Sequence, residues 1–364
     1  MIDAHVHLRD FEESRKETVY HGLKVAFDAG LDAVFEMPNT KSALTSSEMI
    51  EKRIRLGDYV IGKLKQEIKG FEMFHGIYGG ITSDKGQIED IVNAYNQFQR
   101  VIGLKMFAGQ STGNMGLVDD EISTGEEKQR LVYETLVDLG YEGVLAVHCE
   151  KESLMHQDIW DPNNPISHSY ARPNIVEIRS IEDQIRFAYN AGFKGTLHIC
   201  HVSTKEGIEI IEEARKNPDY LFNITCGITP HHAMMNISHL LHPEKGLLRK
   251  MNPPLRPEDN QKYILGRIIE GSLNDFAIIE SDHAPHTLEE KHGEHLSGIP
   301  GLPFYPVFIR KIKEMGATDE TIEMLTHSNI NTFFKTDIKD SNRKPRYDLS
   351  SEYEFDVFPL IHLL

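Results

Sequence analysis

The sequence contains few cysteines, no long apolar run and no excess of positive charge. Cys149, Cys200 and Cys226 are the three cysteines in 364 residues, and this small odd number argues against a disulfide framework. No apolar stretch reaches the roughly 18–20 residues that a membrane span requires. Because 39 Lys and Arg stand against 56 Asp and Glu, the formal charge is −17. Nucleic acids and anionic membrane surfaces are therefore poor partners.

The amino terminus shows no sign of export. Residues 1–5 contain no basic segment followed by an apolar core, which a secretory signal would require. The length allows either two ordinary domains or one large α/β barrel, with ample residues for a buried core. We therefore expect a cytoplasmic protein and take an enzyme as the first hypothesis.

What recurs along the chain is a short apolar run followed by a longer amphipathic stretch. Strands that alternate with helices imply a parallel sheet covered by helices, and eight such units fit one (β/α)8 barrel of the TIM type. A doubly wound open sheet is the alternative, but no Gly-rich dinucleotide fingerprint follows the first strand. The predicted strands are residues 2–7, 33–38, 73–78, 101–107, 143–148, 195–201, 220–226 and 276–282.

Helical patterns, in which apolar residues recur every three or four positions, lie between most of these strands. The tail, residues 335–364, turns polar and then ends apolar. We expect residues 1–334 to form one barrel domain, with the tail packed against it and no linker between them. The predicted helices are residues 16–29, 46–69, 83–98, 126–139, 176–191 and 205–216, with closing helices over 304–315 and 318–334.

Most predicted strands end at the carboxyl edge in a metal-ligating or polar side chain. His5 and His7 end the first strand, and side chains two residues apart point to the same side, so both can reach one metal ion. Lys105 lies in the apolar fourth strand, where an isolated buried ammonium group is costly and needs a partner or a chemical change. Two hydrogen-bonded histidines and a snorkelling lysine are the structural alternatives.

Further candidate ligands follow the later strands. His148 ends the fifth strand, and the sixth contains both His198 and His201. Alternation cannot place these two on one face, so we take His201, at the strand end, as the ligand and His198 as structural. Asp282 ends the eighth strand, where a carboxylate could bind metal and act as a base.

Together these side chains place four histidines, a lysine and an aspartate at the face where barrel enzymes hold their active sites. Imidazole and carboxylate donors suit zinc or a similar divalent ion, and the scarcity of cysteine argues against a closed structural zinc site. Such an ion polarises a carbonyl group and lowers the pKa of bound water from about 15.7 towards 7. The pattern therefore favours metal-assisted hydrolysis or its reverse.

At these residues the sequence resembles the amidohydrolase superfamily and, within it, the dihydroorotases. The resemblance runs from residue 2 to about residue 308, and its motifs are highly specific in this order. They are Asp3-Ala4-His5-Val6-His7-Leu8-Arg9-Asp10, Met37-Pro38-Asn39-Thr40, Gly103-Leu104-Lys105, His148-Cys149-Glu150, His198-Ile199-Cys200-His201-Val202-Ser203-Thr204, Pro230-His231-His232, Met251-Asn252-Pro253-Pro254-Leu255-Arg256 and Ser281-Asp282-His283-Ala284-Pro285-His286.

The resemblance implies a centre of two zinc ions. His5, His7 and Asp282 would hold one ion, whereas His148 and His201 would hold the other. Lys105 would be carboxylated by carbon dioxide, and the resulting carbamate would bridge both ions. Asp282 would move the proton of the attacking hydroxide as the ring amide of dihydroorotate opens. In the biosynthetic direction it would protonate the departing oxygen as N-carbamoyl-L-aspartate cyclises.

The resemblance also implies five contacts to the substrate. Arg9 would clamp the substrate carboxylate, because a planar guanidinium donates two parallel hydrogen bonds, and Asn39 would be its partner. His286 would be the second carboxylate contact, Asn252 would contact the pyrimidine edge, and Gly298 would offer backbone groups to the ring. Taken singly, Asn39 and Asn252 could instead serve turns, and Arg9 could pair with its neighbouring aspartate.

Residues 109–116, in the 107–117 loop after the lysine strand, are mostly small and flexible. Their composition would suit a mobile lid with Thr112 as a substrate contact, although a plain surface loop is the alternative. Members of the resembled family usually carry an N-terminal β segment that joins C-terminal strands in a small side domain. This sequence opens almost on the first ligand strand, so we expect that side domain to be missing or vestigial.

Three functions agree with this pattern. A dihydroorotase acting on a small-molecule substrate is the first hypothesis, because Arg9, Asn39 and His286 suit a substrate carboxylate. Another cyclic amidase, such as a dihydropyrimidinase, a hydantoinase or an allantoinase, would share the metal ligands without needing that arginine. A non-catalytic scaffold for aspartate transcarbamoylase is less favoured, because all six predicted ligands are present. Association with that enzyme or with further copies of this chain is the expected partnership.

Overall fold

Eight parallel strands form the centre of the chain in the computed structural model, which describes residues 1–110 and 115–358. Each strand pairs with the next one in chain order, so the predicted (β/α)8 barrel is confirmed. The fourth strand has the predicted bounds, whereas the seventh begins three residues later than predicted. The strands are β1 (Ile2–Val6), β2 (Ala33–Glu36), β3 (Phe74–Gly80), β4 (Val101–Phe107), β5 (Val144–His148), β6 (Thr196–Ile199), β7 (Asn223–Ile228) and β8 (Ala277–Ile279).

The helices lie on the outside of the barrel and after its strands. Each predicted helix is present near its predicted position, but the one over 318–334 is interrupted by a π-helical turn at Met324–Ser328. The helices are α1 (Val19–Asp28), α2 (Ser47–Glu67), α3 (Lys85–Gln97), α4 (Gly125–Asp138), α5 (Ser167–Ala171), α6 (Asn174–Ala191), α7 (Lys205–Ala214), α8 (Pro230–Met234), α9 (Glu258–Ile269), α10 (Leu288–Gly293), α11 (Tyr305–Glu314), α12 (Asp319–Glu323) and α13 (Asn329–Phe334).

Neither of the two helices between β7 and β8 was among the predictions. The longer one is α9, whose buried side chains are Asn260, Ile264 and Ile268. One of those three is polar, so the apolar pattern is weak over its first turn. No helix in the described residues is long and apolar enough to cross a membrane.

The amino-terminal end of the barrel is apolar, and this leaves the polar side chains at the other end. Phe35 and Tyr78 point into the barrel, where both pack edge-on against Phe334 of α13, with ring centroids 5.2 and 6.0 Å apart. The polar residues that the sequence places at strand ends lie instead at the carboxyl ends of the strands. The barrel therefore has an apolar base and a polar mouth.

Pairing between β8 and β1 brings the ends of the sheet together. The His7 N–H donates to the carbonyl of His283 over 2.7 Å, and Val6 forms a parallel bridge with the same residue. Beneath this bridge the Ser281 N–H donates to Asp3 Oδ1 over 3.0 Å. The Tyr305 hydroxyl of α11 reaches the carbonyls of Ile2 and Ile279, each at 3.2 Å. These contacts join the first and last strands through buried polar groups.

The described part of the tail runs along the outside of the barrel. The Arg346 N–H donates to the carbonyl of Asp28 over 2.7 Å, and the Tyr353 hydroxyl donates to Glu17 Oε2 over 2.6 Å. Phe358 stacks on Phe304 with ring centroids 3.7 Å apart. The division into a barrel over 1–334 and a tail over 335–364 stays a prediction, and residues 359–364 lie outside the described residues.

We predict that Tyr305→Phe lowers the free energy of unfolding by about 1–2 kcal/mol, because two buried carbonyl groups lose their shared donor. Urea denaturation followed by circular dichroism measures this change. Tyr59→Phe is the matched control, since the Tyr59 side chain is 71% exposed. Equal stability losses in the two variants would contradict a closing role for the Tyr305 hydroxyl.

Candidate active site

A cavity of about 730 Å³ opens at the carboxyl ends of the strands. Its wall contains ten of the eleven predicted site residues, and the eleventh, Lys105, is fully buried on β4. The structure therefore brings the predicted residues to one place, as expected for the mouth of a barrel. The ten lining residues are His5, His7, Arg9, Asn39, His148, His201, Asn252, Asp282, His286 and Gly298.

Two histidines of the first strand converge on one carboxylate. The Nε2 atoms of His5 and His7 lie 3.3 and 3.2 Å from Asp282 Oδ1. All three side chains are buried, and together they form a group that could hold a metal ion. Asp282 reaches this position because the chain turns sharply after β8, with a φ of 46° at that residue. The pairing of β1 with β8 thus places two imidazoles and a carboxylate around one point.

A second histidine pair lies beside the first. His148 Nδ1 and His201 Nε2 are 3.1 Å apart, and the ring of His5 lies 5.2 Å from that of His201. His201 follows β6 with a φ of 39°, which turns its side chain into the mouth. His198, in contrast, contacts Thr225 Oγ1 at 2.9 Å and Glu280 Oε2 at 3.4 Å, away from the cavity wall.

Lys105 is a buried amine with a thiol as its hydrogen-bond partner. Its Nζ atom donates to Cys200 Sγ over 2.9 Å and lies 4.9 Å from the centroid of the Phe107 ring. Among residues 1–110 and 115–358 it has no carboxylate as an ion-pair partner. A neutral hydrogen bond contributes about 1 kcal/mol, whereas an unpaired buried charge costs several kcal/mol. The amine is therefore buried with only a weak neutral partner, as a site of chemical modification would be.

The protonation of the histidines suits a metal centre. Burial is the main cause that lowers the pKa of His5 to about 4 and holds the pKa of His7 and His201 well below the usual value. Neutral imidazole is the metal-binding form. The Nδ1 atoms of His7 and His201 are buried without a hydrogen-bond partner in the described residues. Neutral rings with converging nitrogens and a carboxylate are donors that fit a divalent ion such as zinc.

Arg9 and His286 lie together in the wall of the same cavity. Arg9 Nη2 is 3.4 Å from His286 Nε2, and both side chains are buried. The backbone at Arg9 has a φ of 52°, and the Arg53 guanidinium holds its carbonyl through a 2.6 Å hydrogen bond. Asn39 lies in the same wall, and its Oδ1 has no hydrogen-bond partner in the described residues. These groups form a polar part of the cavity wall that contains a buried guanidinium.

Asn252 and Gly298 lie at the remaining edge of the cavity. Asn252 Oδ1 accepts a 2.9 Å hydrogen bond from the His168 ring. The Gly298 N–H already donates to the Lys250 carbonyl, and its own carbonyl accepts from Lys291 Nζ. A carbonyl has two lone pairs, so the second one is the group that Gly298 can offer to a ligand. Thr112 lies outside the described residues, so its predicted contact stays a prediction.

Two carboxylates that support the histidines were missed in the sequence. Glu150 Oε2 lies 3.0 Å from His148 Nε2 and accepts from Arg172. Glu280 Oε1 lies 3.4 Å from His5 Nδ1 and accepts from the N–H of His201. Such outer contacts orient metal-binding imidazoles. A signal was present, because each glutamate lies two residues from a predicted ligand, Glu150 after His148 and Glu280 before Asp282.

We predict a pH dependence of stability from Asp3, whose pKa burial raises to about 7 from the ordinary value of 3.8. Above about pH 4 the unfolded chain ionises this group while the folded chain keeps its proton. Stability is therefore lost as the pH rises to about 7, by up to about 1.4 kcal/mol per pH unit.

Asp3→Asn removes this titration, so the stability of the native sequence relative to the variant falls between about pH 4 and about pH 7. Urea denaturation of both proteins with a chelator present measures the difference. A difference that stays constant over this range would contradict the assignment.

Curated proteins that are similar to this chain share the name dihydroorotase. The chain is 33% identical over 308 residues to a dihydroorotase of Pyrococcus abyssi, covering 83% of this chain and 59% of that protein. It is 27% identical over 355 residues to a dihydroorotase of Methanosphaera stadtmanae, covering 94% of this chain and 72% of that protein. The chain spans 59% and 57% of the lengths of two of these dihydroorotases, which is less than two thirds of each. A scan against protein-family models finds no match.

Comparison with solved structures supports the fold. An L-hydantoinase (dihydropyrimidinase) from Arthrobacter aurescens superposes with a TM-score of 0.75 at 17% identity, covering 93% of this chain and 73% of that one. A D-hydantoinase (dihydropyrimidinase) from a Thermus species superposes with a TM-score of 0.71 at 18% identity, covering 92% of this chain and 70% of that one. At this identity the likeness shows a shared barrel fold.

Proposed function

We propose that this chain is a dihydroorotase, a cyclic amidase of the amidohydrolase superfamily, because curated proteins of that name are similar to it over 83–94% of its length. It would interconvert N-carbamoyl-L-aspartate and L-dihydroorotate by reversible cyclisation, a step of pyrimidine biosynthesis. One observation carries the proposal. Arg9 and His286 lie 3.4 Å apart in the cavity that also contains the cluster of His5, His7 and Asp282. A cation for the substrate carboxylate thus faces the groups that would act on the ring.

The proposed cofactor is zinc, as two ions. His5, His7 and Asp282 would hold one ion, and His148 and His201 the other. Lys105, carboxylated at Nζ by carbon dioxide with loss of a proton, would contact both. The metal would supply a Lewis acid for the scissile carbonyl and lower the pKa of water. The neutral imidazoles and the buried amine without a carboxylate partner support this assignment.

Arg9, Asn39 and His286 would bind and orient the substrate. The guanidinium can donate two parallel hydrogen bonds to the carboxylate of dihydroorotate, and Asn39 can donate a third through its amide. The carbonyl of Ser297, 3.0 Å from His286 Nε2, requires a proton on that nitrogen. His286 can therefore share this N–H with a substrate oxygen. These contacts fix the ring by its carboxylate and leave the amide directed towards the histidine cluster.

Asp282 would move the proton during the reaction. Burial is the main cause that raises the pKa of its carboxyl group, so the carboxylate accepts a proton more readily than an exposed aspartate. On ring opening it would take a proton from the attacking water and pass it to the ring nitrogen as the carbon–nitrogen bond breaks. On cyclisation it would protonate the oxygen that leaves the substrate carboxylate.

The second candidate is another cyclic amidase. The hydantoinases that share the fold favour it, but at 17–18% identity their likeness to this chain shows the fold alone. A neutral ring such as dihydrouracil offers no carboxylate to the buried guanidinium of Arg9.

A scaffold role beside aspartate transcarbamoylase has only the resemblance in its favour, as does association with further copies of the chain. A cytoplasmic location is likewise proposed from the sequence alone.

We predict that Asp282→Asn lowers kcat by about 10³-fold or more, because the variant cannot accept a proton. The histidines stay in place, so much of the metal remains bound. Hydrolysis of dihydroorotate and metal analysis by atomic emission check both statements. Asp275→Asn is a control outside the cavity. Retained turnover in Asp282→Asn would contradict the proposed proton transfer.

We predict that Arg9→Gln lowers kcat/KM for dihydroorotate by about 10²-fold or more, since a charge-assisted bidentate contact is lost. Activity towards dihydrouracil and allantoin should change much less. Arg15→Gln is the matched control, because the Arg15 side chain is 61% exposed. A native enzyme that prefers either neutral ring would favour the second candidate over a dihydroorotase.

A further inference from the structure

A buried histidine outside the proposed machinery contacts an amide that lines the cavity. His168, on the short helix α5, is 5% exposed. Its Nε2 lies 3.0 Å from the carbonyl oxygen of Met251 and 2.9 Å from Asn252 Oδ1. The ring also packs edge-on against Trp160, with centroids 5.3 Å apart. Its position is therefore determined by a backbone carbonyl, an amide and an aromatic ring.

The carbonyl of Met251 determines where the proton of His168 lies. A backbone carbonyl can only accept a hydrogen bond, so Nε2 must carry the hydrogen. Burial holds the pKa of the ring well below its usual value, which leaves a neutral imidazole protonated at Nε2. His168 is thus a donor towards both of its partners.

The tautomer of His168 in turn determines the orientation of Asn252. An N–H donor must face the carboxamide oxygen, because the reversed amide would place two donors opposite each other at 2.9 Å. The Nδ2 group is then directed away from the histidine. Asn252 lines the cavity, and in the described residues Nδ2 forms no hydrogen bond with the protein. The amide therefore presents N–H donors to a ligand.

We infer that His168 is a positioning residue that holds Asn252 as a hydrogen-bond donor, so that the cavity selects rings with a carbonyl oxygen at this edge. This inference rests on the proposed function for the identity of the ring, dihydroorotate. The inference specifies that Asn252 donates, rather than accepts, the hydrogen bond to the ring. A ring that presents an amino group or an N–H at the same edge would meet a second donor and bind poorly.

Kinetics of His168 variants test the inference. His168→Leu removes the donor and frees the amide to rotate, whereas His168→Gln keeps an N–H group near the same place. We expect His168→Leu to raise KM for dihydroorotate about tenfold or more with a smaller change in kcat, and His168→Gln to restore much of the loss. His292→Leu, on the exposed side of α10, is the control and should leave both constants unchanged.

A double-mutant cycle separates positioning from a general structural effect. If His168 acts through Asn252, then His168→Leu has no further effect on KM once Asn252→Ala is present. If the two losses multiply, the histidine acts independently and the inference is overturned. Equal metal content and equal thermal midpoints in all variants show that each has folded.

A spectroscopic measurement keeps the inference separate from the proposed function. Nitrogen chemical shifts of ¹⁵N-histidine-labelled protein, assigned with His168→Leu, report which ring nitrogen is protonated. We expect a neutral ring with its hydrogen on Nε2 from about pH 6 to about pH 9. A hydrogen on Nδ1, or a charged ring, overturns the inference even in an active enzyme. A correct tautomer in a protein that hydrolyses no cyclic amide supports the positioning and refutes the proposed function.

Discussion

The mouth of the barrel depends on the contact between its first and last strands. β1 contains His5 and is followed by His7, whereas β8 leads into Asp282, more than 270 residues further along the chain. The bridge between Val6 and His283 and the hydrogen bond from Ser281 to Asp3 hold these strand ends in register. This register places one carboxylate oxygen within 3.3 Å of both imidazoles. The candidate metal site is thus a consequence of barrel closure.

Burial determines the chemistry that the mouth can perform. It holds the pKa of His7 and His201 well below the usual value, raises the pKa of Asp282 and surrounds Lys105 without giving it a carboxylate partner in the described residues. The hydrogen bond from Lys105 to the Cys200 thiol is a weak neutral contact. Conversion of the amine into an anionic ligand between neutral imidazoles would remove the unpaired cation. The same burial makes Arg9 a strong anchor for a substrate carboxylate, because water competes poorly for it.

Much of this arrangement could be predicted from the sequence, because strand ends in a parallel barrel meet at one face. His5, His7, His148, His201 and Asp282 were all placed there by their position after apolar runs. The prediction failed where the local sequence signal was weak. The helix α9 has a polar buried residue in its first turn, and residues 220–222 precede rather than begin β7. The contact of His168 with Asn252 joins residues 84 positions apart. Spacing along the chain cannot reveal such a contact.

The most direct test is the zinc content of the purified protein, measured on the same sample as dihydroorotate hydrolysis after incubation with zinc and bicarbonate. The account predicts about two zinc ions per chain together with turnover in both directions. Metal without turnover of dihydroorotate would direct attention to another cyclic amide. Neither metal nor turnover would contradict the central claim that these six side chains form a catalytic metal centre.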